Sequence, residues 1–424
     1  MRLGGWRLRR RQVALSLALA VGLSFLPNVG ASSRGDGPAT QGEAGSGPPT
    51  FPFVIPPSAK RLTGSIRWSD VPSGHWAGKA IDFVGEANNW MRDFRVDAEG
   101  RYPFKPDKLE TRKLLARAIV RAFAPDEATD PDLHFLDLPD DAAFYEAANV
   151  VVKLGWMRRL GGKFHPDDPV TMSTVHHVLV YALGLRNAAR GLRNIHTRND
   201  FRFETAPNFG TTLIGMRLGL RFNHSDESLD VNPHTQLPRS EVAWSLYRAA
   251  TLPSWSIESM EAYASIELPV IGPKKQQFIQ WGIDYVGYPY VWGGDWNEAT
   301  GSGYCCGTQP VGGFDCSGIT WWMLKNSAGG WDNHPPRPYV GWDLPQRTSA
   351  LMAAVGNIGW NRRAVGDLMF YYGDDDGTVD HVDTYIGNGW SLDSGSSNAG
   401  VTITYTGEGS WYQDHFVHAR RIIR

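Results

Sequence analysis

The sequence has few cysteines and no excess of charge of either sign. Its 424 residues include three cysteines, and 42 Lys or Arg against 44 Asp or Glu give a formal net charge of −2. A near-neutral charge gives no indication of a nucleic-acid partner. Three cysteines cannot all pair within one chain, so at least one thiol is left free of an internal disulfide.

Long apolar runs are missing after the N-terminus, so no later stretch is expected to cross a bilayer. The chain begins with several arginines, an apolar run over 13–26 and the small residues 29–31 (VGA). This pattern predicts a secretory signal peptide over residues 1–31, whose apolar part is too short to span a membrane. Residues 32–60 are rich in Gly, Pro and Ser and predict a flexible or semi-extended linker.

Metal-ligand spacings are also missing. Cys305 and Cys306 are adjacent, whereas zinc-binding thiols are usually separated, and residues 374–377 (DDDG) lack the full calcium-loop pattern. A strained disulfide between the adjacent cysteines remains open. We expect no metal and no other cofactor, and we take Cys316 as the free thiol.

The stretch that indicates chemistry is residues 312–325 (GGFDCSGITWWMLK). Asp315 is a good helix N-cap, and the apolar run 319–324 predicts a buried helix with Cys316 in its first turn. Unpaired N–H groups and the helix dipole stabilise a thiolate at that position, which is typical of a nucleophile. The alternative is that Cys316 is a small buried hydrophobic residue.

A candidate base, His381, begins residues 381–395 (HVDTYIGNGWSLDSG), where β-forming residues flank a Gly-Asn-Gly turn and predict a hairpin. Asp393 in its second strand is a candidate orienter: it would accept a proton from one imidazole nitrogen while the other faces the thiol. The alternative is a satisfied histidine at a strand end and an ordinary turn aspartate.

The register of this hairpin decides whether the two side chains can meet, because a one-residue slip moves every side chain to the other face. A two-residue turn would pair Thr384 with Asp393, on the face opposite His381. A three-residue loop with a glycine bulge would pair Asp383 with Asp393 and place Asp393 diagonal to His381. We therefore predict the second register.

Residues 61–252 contain a weak internal repeat. Residues 104–107 (FKPD) recur as 164–167 (FHPD) and faintly as 231–234 (VNPH), each followed by a predicted helix start at Arg112, Met172 and Arg239. We predict an all-α N-terminal domain of three helix-loop-helix units over residues 61–128, 129–200 and 201–252. A linker over 253–265 would then lead to a second domain over 266–424.

Five blocks of the second domain resemble, in order, the signatures of the NlpC-type cell-wall cysteine peptidases: 290–294 (YVWGG), 314–318 (FDCSG), 365–370 (VGDLMF), 381–382 (HV) and 385–389 (YIGNG). The resemblance covers about the last 150 residues, a plausible length for one domain. It implies an α+β papain-like catalytic domain in which Cys316 is the nucleophile and His381 the general base and then acid.

The chain departs from this family at two positions. Asp393 stands where the family usually has a histidine or another polar residue, and it is chemically competent as orienter. Asp383 stands where the family usually has glycine, and its negative charge would raise the pKa of His381 and shift the working pH upward.

The resemblance also implies a substrate and a pocket. Tyr290, Asp315 and Ser317 match substrate-binding positions, and the implied reaction is hydrolysis of stem-peptide bonds in bacterial peptidoglycan, typically after γ-D-glutamate. The same triad would serve an amidase acting between sugar and peptide, or an acyltransferase. A third possibility is a wall-binding protein whose peptidase-like domain has lost its activity.

The three helical units resemble S-layer homology repeats, which come in threes and hold exported proteins on anionic secondary wall polymers. The helix-start motif of that family, Thr-Arg-Ala-Glu, corresponds here to 111–114 (TRKL), 171–174 (TMST) and 238–241 (PRSE), and the second repeat has lost the arginine. The resemblance implies attachment at the cell wall or surface, with Arg112 and Arg239 contacting acidic groups of the polymer. The alternative is a helical spacer domain with arginines at ordinary helix starts.

Overall fold

The computed structural model describes residues 68–303, 307–324, 344–373, 377–396 and 400–423. Three features predicted from sequence lie outside these residues: the signal peptide with the linker that follows it, the Cys305-Cys306 pair, and the acidic turn at 374–376. Within the described residues no helix is both long and apolar enough to span a bilayer.

The first part of the described chain is helical. Its helices are α1 (Gly78–Ile81, continued by a π-helical turn over Asp82–Ala87), α2 (Arg112–Phe123), α3 (Tyr145–Lys153), α4 (Met172–Ala182), α5 (Arg186–Arg193), α6 (Phe209–Arg217) and α7 (Arg239–Thr251). The helices α2, α4 and α7 begin at the three predicted helix starts. These segments form helices because each carries apolar residues at helical spacing that become buried.

In each of the first two repeats, an aspartate side chain binds backbone N–H groups of the turn before the main helix. Asp70 accepts hydrogen bonds from the backbone N–H groups of Phe104 and Lys105 at 2.7 and 2.8 Å. Asp137 makes the same two contacts, at the same distances, with the residues that begin the second FxPD motif. Each aspartate therefore fixes the turn that precedes the main helix of its repeat.

The three repeats are joined in a cycle. The backbone N–H of Glu110 donates to the carbonyl of Leu237, Leu237 donates to Val170, and Val170 donates back to Glu110, at 2.9 to 3.0 Å. The first N–H groups of the main helices donate round the cycle in the opposite direction: α2 donates to the turn of the second repeat, α4 to that of the third, and α7 to that of the first. Each helix start, where N–H groups lack partners within the helix, is thus satisfied by the next repeat.

The segment 253–265 is helical, which differs from the predicted linker. It forms α8 (Ser254–Glu258) and a 3₁₀ helix over Ser259–Ser265, which packs so closely on α5 that a Cβ added to Gly191 would lie 2.2 Å from the Tyr263 carbonyl oxygen. Met260 and Tyr263 of this segment are buried, and the Tyr263 ring packs against Trp390. Their burial explains why a segment without a clear sequence pattern is ordered.

The second part of the chain is an α+β domain. It begins with α9 (Pro273–Ile283) and the short strands β1 (Asp295–Trp296), β2 (Thr300–Gly303), β3 (Gly307–Gln309) and β4 (Gly313–Phe314). The helices α10 (Cys316–Leu324) and α11 (Ser349–Ala353) follow. A five-stranded antiparallel sheet of order β8-β7-β6-β5-β9 completes it, with the short helix α12 (Trp411–Asp414) before the last strand.

The sheet strands are β5 (Asp367–Tyr372), β6 (Val379–Gly387), β7 (Trp390–Gly395), β8 (Gly400–Tyr405) and β9 (Phe416–Arg421). One face packs with α9 and α10 in the main hydrophobic core, through residues such as Trp322, Val382 and Leu392. The other face carries a small cluster that includes Met369, Tyr371 and Tyr385.

The two parts of the chain pack directly on each other, and one hydrophobic cluster runs through both. Arg217 of α6 donates to the Thr404 hydroxyl of β8 at 3.2 Å, and the Tyr263 hydroxyl donates to the Ile403 carbonyl at 2.7 Å. The helical part therefore lies against the edge strand of the sheet.

Candidate active site

Cys316 is the first residue of α10, where the chain turns from β4 into a fully buried helix. Asp315 caps this helix: its Oδ1 accepts from the backbone N–H of Gly318 at 2.5 Å and from the Ser317 hydroxyl at 3.0 Å. The Cys316 side chain is 7% exposed, and its Sγ lies 3.7 Å from the carbonyl oxygen of Asp380. The sulfur therefore lies at the positive end of the helix dipole, where negative charge is favoured.

His381 of β6 and Asp393 of β7 lie next to each other. The observed register pairs Thr384 with Leu392 and shifts by one residue at the turn, which confirms the predicted three-residue-loop register. Nε2 of His381 is 3.1 Å from Oδ1 of Asp393, whose side chain is fully buried. The carboxylate thus faces one ring nitrogen and holds the ring in place.

The charge state of His381 follows from these contacts. Burial lowers the pKa of His381, but the Asp393 carboxylate opposes it, as does a hydrogen bond with the Cys316 side chain. The result is a pKa well above the usual value for histidine. The arrangement favours an imidazolium beside the Cys316 sulfur.

Asp383 lies on the same face of the sheet as His381 and is also fully buried. Burial, and next the charge of Asp393, raise the pKa of Asp383 to about 8. Both causes favour the protonated form of this carboxyl near neutral pH, the opposite of the negative charge expected beside the histidine.

Arg347, which the sequence analysis missed, ties the site together. It is 3% exposed and donates to Asp295 at 3.2 Å, to Asp315 at 3.0 Å and to the Ser317 hydroxyl at 2.8 Å. It also donates to the carbonyl oxygens of residues 293 and 294. The buried carboxyl of Asp295 and the partly buried carboxyl of Asp315 call for a cation, but no local spacing indicates which arginine supplies it.

The three predicted substrate-binding residues lie around Cys316. Tyr290 is partly buried, and burial, followed by the charges of Cys316 and Asp315, raises the pKa of its hydroxyl, which therefore stays a neutral donor. Asp315 and Ser317 are engaged with the helix start and with Arg347. Their contact with a substrate stays a prediction.

Residues 287–421 match the family model described as the NlpC/P60 family, and this range contains the cysteine, the histidine and the aspartate. The C-terminal domain is an NlpC/P60 domain. The match explains the order of the site residues along the chain, and it covers about a third of the protein.

Three curated relatives align with this NlpC/P60 domain. The murein DD-endopeptidase MepH of Escherichia coli is 29% identical, over 33% of this chain and 43% of its own length. The bifunctional muramidase/DL-endopeptidase CwlT of Bacillus subtilis is 30% identical, over 33% and 34%. The gamma-D-glutamyl-L-lysine dipeptidyl-peptidase of Bacillus subtilis is 27% identical, over 30% and 34%. The chain thus spans less than half the length of each.

The helical part contributes a side chain to the segment of the NlpC/P60 domain that carries Tyr290. Glu227, in a 3₁₀ helix over Glu227–Leu229, accepts from the backbone N–H of Trp292 at 2.7 Å. Trp292 is 68% exposed and lies two residues from Tyr290. The charge of Glu227 also contributes to the raised pKa of Tyr290. Sequence patterns gave no signal for this contact because it joins two domains.

Arg239 does not lie where a wall polymer would meet it, which corrects the sequence prediction. It is fully buried at the start of α7, and its guanidinium donates to Glu110 at 2.7 Å, to Asp93 at 2.8 Å and to the Phe104 carbonyl at 2.8 Å. Arg112 is partly buried and donates to the Phe164 carbonyl at 2.8 Å. Both arginines join one repeat to the next, and polymer contact by Arg112 stays a prediction.

Among the described residues, no group of three or more His, Cys, Asp or Glu side chains is arranged to hold a metal ion. Cys316 is a free cysteine.

Proposed function

We propose that the protein is an exported peptidoglycan endopeptidase, attached to the cell wall, that cleaves stem-peptide bonds by a Cys-His-Asp mechanism. The observation that carries the proposal is the position of Cys316 at the start of α10, hydrogen-bonded to an imidazole whose Nε2 lies 3.1 Å from the Asp393 carboxylate. The names of the aligned relatives, which are endopeptidases and a dipeptidyl-peptidase, support the substrate class.

The reaction proceeds in two steps. The Cys316 thiolate attacks the peptide carbonyl, the imidazolium of His381 gives its proton to the leaving amine, and an acyl-enzyme forms. The backbone N–H of Cys316, at the helix start, stabilises the oxyanion. A water molecule then gives a proton to the neutral imidazole and attacks the thioester, which releases the acid and regenerates the thiolate and imidazolium.

The proposal also specifies which stem-peptide bond is cleaved. One relative is named for γ-D-glutamyl-L-lysine and another as a DL-endopeptidase, which favours a D-γ-glutamyl bond. The name of the Escherichia coli relative, a DD-endopeptidase, makes a DD bond the competing choice. Product masses distinguish the two.

The test is digestion of purified muropeptides by the full chain, beside Cys316→Ala, with mass spectrometry of the products. We expect cleavage between the second and third stem residues, and a loss of rate of at least about 10³-fold in the variant, because the nucleophile is removed. The same inactive variant, sedimented with cell walls before and after removal of the secondary polymer, tests attachment.

Two outcomes would contradict the proposal. Equal cleavage by both proteins would show that Cys316 is not the nucleophile. No cleavage by the folded wild type, together with a Cys316 that reacts with iodoacetamide no faster than an ordinary thiol, would favour a wall-binding protein without activity.

A further inference from the structure

Two buried carboxyl groups face each other beside the catalytic histidine. The pairing of Thr384 with Leu392 makes Asp383 and Asp393 the next opposed pair across β6 and β7. Opposed side chains on one face of an antiparallel pair have Cβ atoms about 4.5–5.5 Å apart. Both side chains are fully buried. Water therefore does not screen one carboxyl from the other.

The polar groups around Asp383 come from several elements. The Tyr371 hydroxyl of β5 donates to Asp383 Oδ2 at 2.8 Å, and the Tyr412 hydroxyl of α12 lies 3.4 Å from Asp393 Oδ2. The charged or polar groups that act on this pair or on its neighbours are Cys316, His381 and Ser391, with Arg217 of α6 acting on Tyr412.

His381 is a cation that acts on both carboxyls, and one imidazolium balances one carboxylate. Its Nε2 is 3.1 Å from Asp393, whereas Asp383 meets the neutral phenol of Tyr371. Two like charges this close and this deeply buried cannot both be ionised near neutrality. The proton therefore belongs on Asp383, which agrees with the direction in which burial and Asp393 shift its pKa.

We propose that Asp383 is a positioning residue that acts through His381. Its neutral carboxyl leaves Asp393 as the carboxylate that orients the imidazole at neutral pH, and its ionisation in alkaline solution keeps the imidazolium charged to higher pH. The proton that Asp383 loses goes to solvent. The catalytic consequence rests on the proposed peptidase function, whereas the protonation of Asp383 does not.

Asp383 stands where the family that this domain resembles usually has glycine, and this difference has a chemical consequence. A glycine at this position holds no proton and adds no charge, whatever the pH. Asp383 behaves as such a neutral residue at neutral pH and becomes a second carboxylate only in alkaline solution. The residue thus extends the alkaline range of the site and leaves its neutral behaviour unchanged.

The test is the rate at which iodoacetate alkylates Cys316 in the full chain as a function of pH, followed by mass spectrometry of the peptide that contains this cysteine. Iodoacetate reacts with the thiolate and not with the thiol. Because iodoacetate is negatively charged, its reaction is also faster when the imidazolium is present. In Asp383→Asn we expect the acid limb of the profile to stay in place. We expect the alkaline limb to move to lower pH by about one unit.

Two results would overturn the proposal. A shift of both limbs would mean that Asp383 is ionised throughout, and a shift of neither would mean a merely structural residue. Asp414→Asn, which removes an exposed carboxylate from α12, is the matched control and should move neither limb.

A second measurement needs no variant. Carbon NMR of the wild-type chain, labelled at its aspartate carboxyls, should show one carboxyl titrating near pH 8, the value to which burial and Asp393 raise the pKa of Asp383. The absence of such a carboxyl would overturn the proposal even if Asp383→Asn did not fold. Both readouts are independent of muropeptide cleavage, so they also separate failure of this proposal from failure of the proposed function.

Discussion

At the scale of the single residue, Asp393 acts on the charge state of His381. Its buried carboxylate raises the pKa of His381, so removing the charge must lower that pKa. In Asp393→Asn the imidazolium would then be lost at lower pH, and the alkaline limb of the pH profile of kcat/KM should move down. We also expect kcat/KM at its optimum to fall by about 10²- to 10⁴-fold, because the ring loses its orienting acceptor.

The measurement is muropeptide cleavage by the full chain between pH 5 and 10. Ser410→Ala is the control. It removes a buried hydroxyl in the loop before α12 and tests whether the loss of any buried polar group has the same effect. An alkaline limb that stays in place in Asp393→Asn would show that another group sets the charge of His381.

Most of the proposed catalytic set could be located from sequence because its positions depend on local patterns. A capped apolar helix locates Cys316, and an alternating strand with a glycine bulge fixes the register of Asp393 relative to His381. Arg347 was not predictable, since its role comes from folding contacts with Asp295 and Asp315. Long-range pairing of buried charges has no sequence period.

The helix start of α7 shows what Arg239 does at the scale of the element. Its guanidinium pairs with Glu110 and Asp93 in a site closed to water, and burial is the main reason that the pKa of Glu110 is raised to about 7. In Arg239→Met the buried Glu110 would lose its cation, and Asp93 would keep only Arg117. We expect the free energy of unfolding to fall by about 3–5 kcal/mol, measured by urea denaturation.

Arg190→Met is the control, because Arg190 is exposed and its loss should change the free energy of unfolding by less than about 0.5 kcal/mol. A variant of Arg239 that kept wild-type stability and lost only its affinity for cell walls would restore the polymer-binding role. The sequence predicted the position of this helix start, but burial decides its role.

At the scale of the whole molecule, Glu227 links the helical part to the segment of the NlpC/P60 domain that carries Tyr290 and Trp292. In Glu227→Ala the N–H of Trp292 loses its acceptor, so the segment that carries Tyr290 is held less firmly. A hydrogen bond to a partly exposed carboxylate is worth about 1 kcal/mol. We therefore expect KM for muropeptides to rise about 3- to 10-fold with little change in kcat.

Glu227→Gln keeps an acceptor oxygen and should restore KM, whereas Glu258→Ala, an exposed acid on α8, should leave it unchanged. An unchanged KM in Glu227→Ala would mean that the NlpC/P60 domain holds this segment alone.

The two-part organisation was predictable, but the join between the parts was not. Helical periodicity and the FxPD recurrence located the main helices of the repeats. The segment 253–265 has no such pattern, and its order comes from the packing of Met260 and Tyr263 against other elements. A segment stabilised by its neighbours cannot be recognised from its own sequence.

The cyclic bonding of the three repeats also bears on how they unfold. Each main helix begins by donating to the turn of the next repeat, and the third returns to the first. One repeat alone leaves its first N–H groups and its turn carbonyls without partners, and two repeats still leave one join open. Loss of any one repeat would therefore leave the helix start of one neighbour and the turn of the other without these partners, so we expect the three repeats to unfold as one cooperative unit.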